Sequence, residues 1–179
     1  MHCCCLIITK DFPTDDVLEE VLKPFNEDNY NSFPAFTWDW YKVGGRYNGA
    51  LKLKVNEEDE KYQWKWYANP SRNGRFFRSY FLSRMEMFAN GSWLYKEEDY
   101  FRSMGLNEGF LYVDGGFIPD ILNIDSVECF CCIDKDGNAY ARERWTGEKF
   151  EEDTEFDHRL KTIIDNSKEC FACIVDLHS

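Results

Sequence analysis

Three short apolar runs, each containing cysteine, constrain the fold of this chain more than any other feature. They read HCCCLIITK from His2 to Lys10, SVECFCCI from Ser126 to Ile133, and KECFACIVDLH from Lys168 to His178. Apolar runs of this length, bounded by polar residues, are typical of strands that are buried in a sheet. We therefore expect all three to be central strands of one sheet.

Two amphipathic helices are predicted between these strands. The first, in FPTDDVLEEVLKPF, has Thr14 or Asp15 as its N-cap, acidic residues in its first turns, and Pro24 where it stops. A hairpin turn is predicted from Asp134 to Gly137. The second helix, in EDTEFDHRLKTIIDN, has an apolar face formed by Phe156, Leu160, Ile163 and Ile164.

The order of these elements predicts the α+β class. It is close to the ferredoxin-like (split βαβ) layout, which is an antiparallel sheet with two helices on one face. The 179 residues fit a single domain, 1–179, with a large middle insertion or subdomain at about 57–126. The insertion contains a basic and aromatic segment at 61–88.

The formal charge of −12 favours basic partners. Residues 97–179 have 8 Lys/Arg against 20 Asp/Glu, whereas residues 50–96 have 9 against 5. Such acidity repels DNA, RNA and anionic membranes, and it attracts basic proteins, including those that hold nucleic acid. We expect no direct nucleic-acid binding, and we interpret the arginines and aromatic residues of 61–88 as a protein-contact face.

The chain has no sequence feature of a membrane or secreted protein. No apolar run approaches the roughly 20 residues needed to span a bilayer. The start of the chain lacks the basic segment and the cleavage site of a signal peptide. We therefore expect a cytoplasmic protein with no membrane partner, in which the eight cysteines are reduced and buried.

Two C-x-x-C pairs, Cys129 with Cys132 and Cys170 with Cys173, raise the question of a zinc site. Residues three apart on a strand face opposite sides of the sheet, so each pair would be split between the two faces. Neither pair has the glycine that is usual in the tight turn of a zinc knuckle. We therefore expect no metal and no cofactor.

Three histidines are the remaining candidates for catalysis. His158 is expected on the exposed face of the second helix, and His178 shares a strand face with Asp176. His2 is expected on a neighbouring strand. Because a catalytic pair needs a nucleophile and a base within hydrogen-bond reach, and the spacing ensures neither, we predict no catalytic residue.

The segment TWDWYKVGGRYNGAL, from Thr37 to Leu51, is the candidate binding site. In an extended chain Trp38, Trp40 and Lys42 would point one way, and the residues between them would point the other way. A half-buried strand is predicted from Tyr47 onwards. The residues selected for ligand or partner binding are Trp38, Asp39, Trp40, Tyr41, Gly44, Gly45, Arg46 and Tyr47.

The glycine pair of this segment has two interpretations. It lacks the further glycines and the following helix of a P-loop or a dinucleotide fingerprint. It can form a bulge in a strand. Alternatively, its backbone N–H groups, with Arg46 and the tryptophans, can form a cradle for an anion or a nucleobase. Arg46 pointing outward beside Trp38 or Trp40 would mark a binding site, whereas Arg46 folded onto Asp39 would mark a scaffold.

The residues from Trp38 to Gly49 resemble the W-D-W-Y-x-[IV]-G-G-R-[WY]-x-G signature of small, largely uncharacterised proteins of phages and prophage regions. The similarity extends to the segments VLKPFNED, CCIDKDGNAYARERW and CIVDLH. The chain has Tyr47 where tryptophan is usual and Leu177 where a cysteine often stands. The resemblance implies a mobile-element origin, and it implies no activity or catalytic residue.

Charge, composition and this resemblance together favour a non-enzymatic acidic binding protein. The specific hypothesis is a counter-defence inhibitor, similar to an anti-CRISPR protein, that blocks the basic nucleic-acid-binding surface of a host protein such as a nuclease. One alternative is a protein that binds or sequesters a small ligand such as a nucleotide. A second alternative is an enzyme that depends on a cysteine or a histidine, which would require a reactive thiol of low pKa.

Overall fold

The structure is a computed structural model that describes residues 2–28, 37–47, 49–54, 110–146 and 148–178. The predicted basic segment 61–88, and most of the insertion predicted at about 57–126, lie outside the described residues. The described parts contain ten strands and two α-helices. The strands are β1 (His2–Thr9), β2 (Trp40–Val43), β3 (Leu51–Lys54), β4 (Phe110–Val113), β5 (Gly115–Phe117), β6 (Cys131–Ile133), β7 (Ala139–Ala141), β8 (Glu143–Trp145), β9 (Phe150–Glu152) and β10 (Phe171–His178). The helices are α1 (Asp15–Leu22) and α2 (Phe156–Asp165).

The main sheet has six strands in the order β2-β10-β1-β6-β7, and β5 also pairs with β10. The long central pair is antiparallel and runs from His2 opposite His178 to Thr9 opposite Phe171. The three cysteine-containing runs therefore supply the three central strands, as the sequence predicts. The α+β class is confirmed.

Local sequence signals account for both helices and for the hairpin. The Thr14 hydroxyl accepts a hydrogen bond from the Val17 N–H at 3.4 Å, so Thr14 is the N-cap of α1. A 3-10 turn that contains Pro24 follows the helix. Between β6 and β7, the Asp134 carboxylate accepts the N–H groups of Asp136 and Asn138 at 2.9 Å each. With eight and ten residues, neither described helix is long enough to cross a bilayer.

The arrangement differs from the predicted ferredoxin-like sheet in two respects. First, β1 pairs with β6 in parallel, so the sheet is mixed and not wholly antiparallel. Second, the helices cover opposite faces: Leu18 and Leu22 of α1 pack in one buried cluster with Ile7, whereas Phe156 and Leu160 of α2 pack in the other. The reason is that successive residues of β1 are apolar on both sides, so both faces of the sheet need a cover. We call these sides the α1 face and the α2 face.

Two small sheets complete the described fold, one formed by β3 and β4 and the other by β8 and β9. The strand predicted from Tyr47 onwards begins later, at Leu51, because Gly45–Tyr47 form a 3-10 turn. Leu51 and Leu53 are fully buried in the cluster on the α2 face. The glycine pair is therefore not a bulge within one strand, because the chain leaves the main sheet at this point.

Candidate binding site

Pairing between strands brings the two ends of the chain to the candidate segment. Trp40 of β2 lies opposite His178 of β10, and Lys42 lies opposite Asp176. On the other side of β10, His178 lies opposite His2 of β1. Residues that are far apart in sequence thus meet at one end of the sheet.

Two buried carboxylates explain the glycine pair. A Cβ atom on Gly45 would lie 2.4 Å from the Cβ atom of Asp176, and one on Gly44 would lie 2.5 Å from the Asp114 carboxyl group. Both glycines have a positive φ, 69° at Gly44 and 54° at Gly45. Only glycine combines these backbone angles with so close an approach. The pair is therefore required to seat the turn on Asp114 and Asp176.

Protein oxygens accept three backbone N–H groups at this turn. Asp176 Oδ2 accepts the Arg46 N–H at 3.0 Å, and Asp114 Oδ1 accepts the Gly49 N–H at 2.7 Å. The Gly44 N–H donates to the Ile174 carbonyl oxygen at 2.8 Å. Of the two N–H groups of the glycine pair, that of Gly44 is therefore already bound by a protein oxygen and cannot serve an anion cradle.

A compact group of rings and carboxylates lies beside this turn. We call it the histidine–tryptophan patch, and it consists of His2, Asp39, Trp40, Asp176 and His178. Nδ1 of His2 lies 2.9 Å from Asp176 Oδ1, and Nδ1 of His178 lies 2.8 Å from Asp39 Oδ1. Each imidazole is thus oriented by a carboxylate at Nδ1, which leaves Nε2 as its other polar atom.

The three rings of the patch pack against one another. Trp40 stacks on His178 with 5.0 Å between ring centroids and 15° between ring planes. His2 meets both rings edge-on, at 5.5 Å from Trp40 and 4.8 Å from His178. Trp40 nevertheless remains 43% exposed. The patch therefore presents an indole that is held in place but still open to a partner.

The other aromatic residues of the segment lie elsewhere. The Trp38 indole N–H donates to the Leu22 carbonyl oxygen at 2.8 Å, and its ring meets Tyr41 edge-on at 5.2 Å, on the α1 face. The prediction that Trp38 and Trp40 share a face is therefore wrong. Its physical reason is a bend at Asp39: β2 begins only at Trp40, so strand alternation does not extend back to Trp38.

Arg46 was expected either to point outward beside a tryptophan or to fold back onto Asp39. The structure matches neither arrangement completely. Its side chain is exposed, while its backbone N–H is bound by Asp176. Asp39 pairs with His178 and not with Arg46. Of the eight selected residues, Asp39 and Trp40 join the patch, and Gly44, Gly45 and the Arg46 backbone support it. The Tyr47 hydroxyl donates to the His2 carbonyl oxygen at 3.5 Å, so Tyr47 lies beside the patch. Trp38 and Tyr41 are packed on the other face.

Sequence reasoning did not select His2, Asp114, Asp176 or His178 for the site. The shared strand face of Asp176 and His178 was the available signal, and the placement of His2 on the neighbouring strand is confirmed. No local pattern marks Asp114, which is 1% exposed and whose pKa burial raises to about 6. The hydrogen bond from His178 holds the pKa of Asp39 below its ordinary value.

An open groove adjoins the patch at His2. It has a volume of about 550 Å³. Arg142, one of its lining residues, pairs with Asp157, with 2.6 Å between Arg142 Nη2 and Asp157 Oδ1. The residues that line it are His2, Cys3, Cys4, Tyr47, Glu128, Cys129, Phe130 and Arg142.

The cysteines are all free, and all except Cys3 are buried. Cys170 and Cys173 lie in the clusters on opposite faces, as predicted, but Cys129 and Cys132 share the α2 face. That prediction is wrong because Cys129 precedes the start of β6 at Cys131. Within the described residues, no group of three or more His, Cys, Asp or Glu side chains could hold a metal ion.

Cys3 is expected to be the fastest-reacting thiol of the folded protein. A hydrogen bond with the Cys131 thiol lowers the pKa of Cys3, whereas burial raises the pKa of Cys131. Since the thiolate is the nucleophile, we expect Cys3 to react with limiting maleimide at neutral pH about tenfold faster than any other cysteine. Peptide mass spectrometry after brief labelling measures this, and Cys3→Ser should remove the fast phase. Even labelling of several cysteines would contradict the assignment.

Comparison of the chain with protein-family models, with curated proteins and with solved structures gives no match. The class of the protein is given by its own fold and site. It is an α+β protein whose mixed sheet has a covered α1 face and a covered α2 face. At one end, the sheet carries two carboxylate-bound histidines packed around an exposed tryptophan.

Proposed function

We propose that this protein is a binding protein that occupies a basic surface of another protein, with the histidine–tryptophan patch at the centre of the contact. The observation that carries the proposal is Trp40, which is 43% exposed although His2 and His178 hold its ring in place. Exposed tryptophans on a rigid base are enriched among the residues that dominate binding energy. Here the tryptophan also lies beside the exposed carboxylate of Asp39.

Two further acidic residues lie close to the residue that precedes Asp39 and Trp40 in the chain. Asn26 forms a bridge with Trp38, and the Glu27 N–H donates to the Trp38 carbonyl oxygen at 3.0 Å. Glu27 and Asp28 are exposed, so this part of the surface carries two acidic residues in addition to Asp39. Charge of this kind at the rim of an interface attracts a basic partner and raises its association rate.

Two further features support a counter-defence role. The net charge of −12 suits a protein that competes with nucleic acid for lysine and arginine side chains. The resemblance of Trp38 to Gly49 to phage and prophage proteins supports a mobile-element origin. We therefore propose that the target is the nucleic-acid channel of a host defence nuclease, and that the protein acts in the manner of an anti-CRISPR inhibitor.

This function is tested in two steps. The acidic protein is used as bait to capture a partner from host lysate, and the bait is then tested for its ability to displace nucleic acid from that partner. We expect a basic partner that loses its bound duplex when the acidic protein is added. The double variant Glu27→Gln with Asp28→Asn should lower the association rate about fivefold at low salt, because rim charges steer encounter. The matched variant Glu148→Gln with Asp125→Asn removes the same charge from exposed positions elsewhere and should have a smaller effect. A partner that keeps its nucleic acid in the complex would contradict the proposal.

A second candidate function is the binding of a small ligand such as a nucleotide. The groove of about 550 Å³ beside His2 favours it, since its volume lies in the range of ligand pockets. Mass spectrometry of the small molecules released from the purified acidic protein distinguishes the two functions. A nucleotide that co-purifies with the wild type and is lost in His2→Ala would support the second candidate.

A further inference from the structure

We propose that Asp39 and Trp40 together form a receiving site for an arginine side chain of the partner protein. The inference rests on the proposed function, because it names the chemistry that the same patch recognises. An arginine of a basic surface would lay its guanidinium plane against the indole and direct its N–H groups to the carboxylate.

The carboxylate of Asp39 is held in place by hydrogen bonds to one of its two oxygens. Its Oδ1 atom receives the Trp40 N–H at 2.7 Å and lies 2.8 Å from His178 Nδ1. Among the described residues, none donates a hydrogen bond to Oδ2, and the side chain is 34% exposed. Since the bond from His178 lowers the pKa of Asp39, the carboxyl group is ionised at neutral pH. An anionic oxygen therefore remains available to an incoming cation.

The indole of Trp40 is positioned before a partner arrives. His178 stacks against it, and the His2 ring meets it edge-on. A ring that is already held loses little side-chain freedom on binding, so more of the contact energy appears as affinity. A cation over the face of tryptophan gains about 0.5–1 kcal/mol at an exposed site and more when water is excluded.

The protein's own cations do not fill this site in the part of the chain that the structure describes. The cation–π contacts found there are Arg142 over Phe156 at 4.8 Å and Arg159 over Tyr140 at 5.5 Å. Both are remote in sequence from β2. The ion pair that Asp39 makes is with His178. As far as the described residues go, the indole and Oδ2 of Asp39 are thus open to a cation from outside.

Arginine fits this pair better than lysine. The guanidinium is planar, stacks on aromatic faces and is weakly hydrated, whereas the ammonium of lysine is a compact and strongly hydrated point charge. A guanidinium that lies against an aromatic face keeps its N–H donors in its own plane, where they are available to a carboxylate. A lysine would gain the charge attraction with less of the stacking, so the site should discriminate between two equally basic peptides.

Titration with two labelled decapeptides, one of alternating Arg-Gly and one of alternating Lys-Gly, tests the inference by fluorescence anisotropy at physiological salt. We expect the arginine peptide to bind about fivefold more tightly, which corresponds to about 1 kcal/mol. Trp40→Ala and Asp39→Asn should each remove this preference. Phe150→Ala, which truncates an aromatic residue that is 68% exposed on another hairpin, should leave it unchanged.

The possible results separate this inference from the function on which it rests. Equal affinity for the two peptides, or a preference that survives in both Trp40→Ala and Asp39→Asn, would overturn arginine recognition. Binding of both peptides with equal strength would still agree with an acidic protein that seeks a basic surface. If neither peptide binds, the inference fails, and the captured partner alone then decides the proposed function. Circular dichroism of each variant confirms that its fold is retained.

Discussion

Replacing Gly45 with alanine is expected to lower the free energy of unfolding by about 3 kcal/mol and to disorder the patch. The new Cβ atom would lie 2.4 Å from the Asp176 Cβ atom, and the φ of 54° is itself unfavourable for alanine. Relief of the contact moves Asp176, which weakens its hydrogen bonds to His2 and to the Arg46 N–H. Urea denaturation followed by circular dichroism measures the loss.

Gly137→Ala is the matched control for this substitution. Gly137 has a positive φ of 84°, but among the described residues no atom beyond its chain neighbours lies within 4 Å of the position that its Cβ would take. Its replacement should therefore cost only the backbone strain, about 1 kcal/mol. Equal losses for the two variants would contradict the close packing of Gly45 on Asp176, because backbone strain alone would then explain both.

The contribution of Asp114 to the free energy of unfolding is expected to fall by about 3 kcal/mol between about pH 4 and about pH 6. Burial raises the pKa of this carboxyl group from 3.8 to about 6, and the residue is 1% exposed. The folded protein therefore retains a proton that the unfolded chain releases in this range. Because Asp114 binds more protons in the folded state over this range, its contribution to stability decreases as the pH rises and becomes constant above about pH 6.

Asp114→Asn isolates this contribution, since the amide oxygen can still accept the Gly49 N–H. The variant keeps every other titrating group, so the difference in unfolding free energy between it and the wild type reports Asp114 alone. We expect the wild type to lose stability relative to the variant from pH 4 to pH 6, as measured by urea denaturation. A difference that stays constant with pH would show that Asp114 titrates normally.

The elements predicted correctly are those with local signals. The Thr14 cap and the Pro24 stop define α1, and the turn before Gly137 defines the hairpin of β6 and β7. No local signal shows which helix packs on which side of β1. Its residues from Cys3 to Ile8 are all apolar, so the pattern does not reveal which helix covers which side, or that β6 runs parallel to it.

Of the residues in the histidine–tryptophan patch, only those at the start of β2 could be predicted from the sequence. Asp39 and Trp40 were selected because the segment around them is unusual, but their partners come from the ends of the chain. His2 and Asp176 lie 174 residues apart in sequence. Only the register of β1 against β10 brings His2 Nδ1 to 2.9 Å from Asp176 Oδ1. The glycine pair was correctly marked as special, yet its cause, close approach to Asp114 and Asp176, depends on tertiary contacts.

The most direct test of the central claim is the affinity of the captured partner for Trp40→Ala compared with Phe150→Ala. Both substitutions remove an exposed aromatic ring, but only Trp40 belongs to the histidine–tryptophan patch. We predict that Trp40→Ala raises the dissociation constant about 30-fold, which corresponds to about 2 kcal/mol, and that Phe150→Ala changes it little. An unchanged affinity of Trp40→Ala, in a variant shown to be folded, would contradict the patch as the binding site.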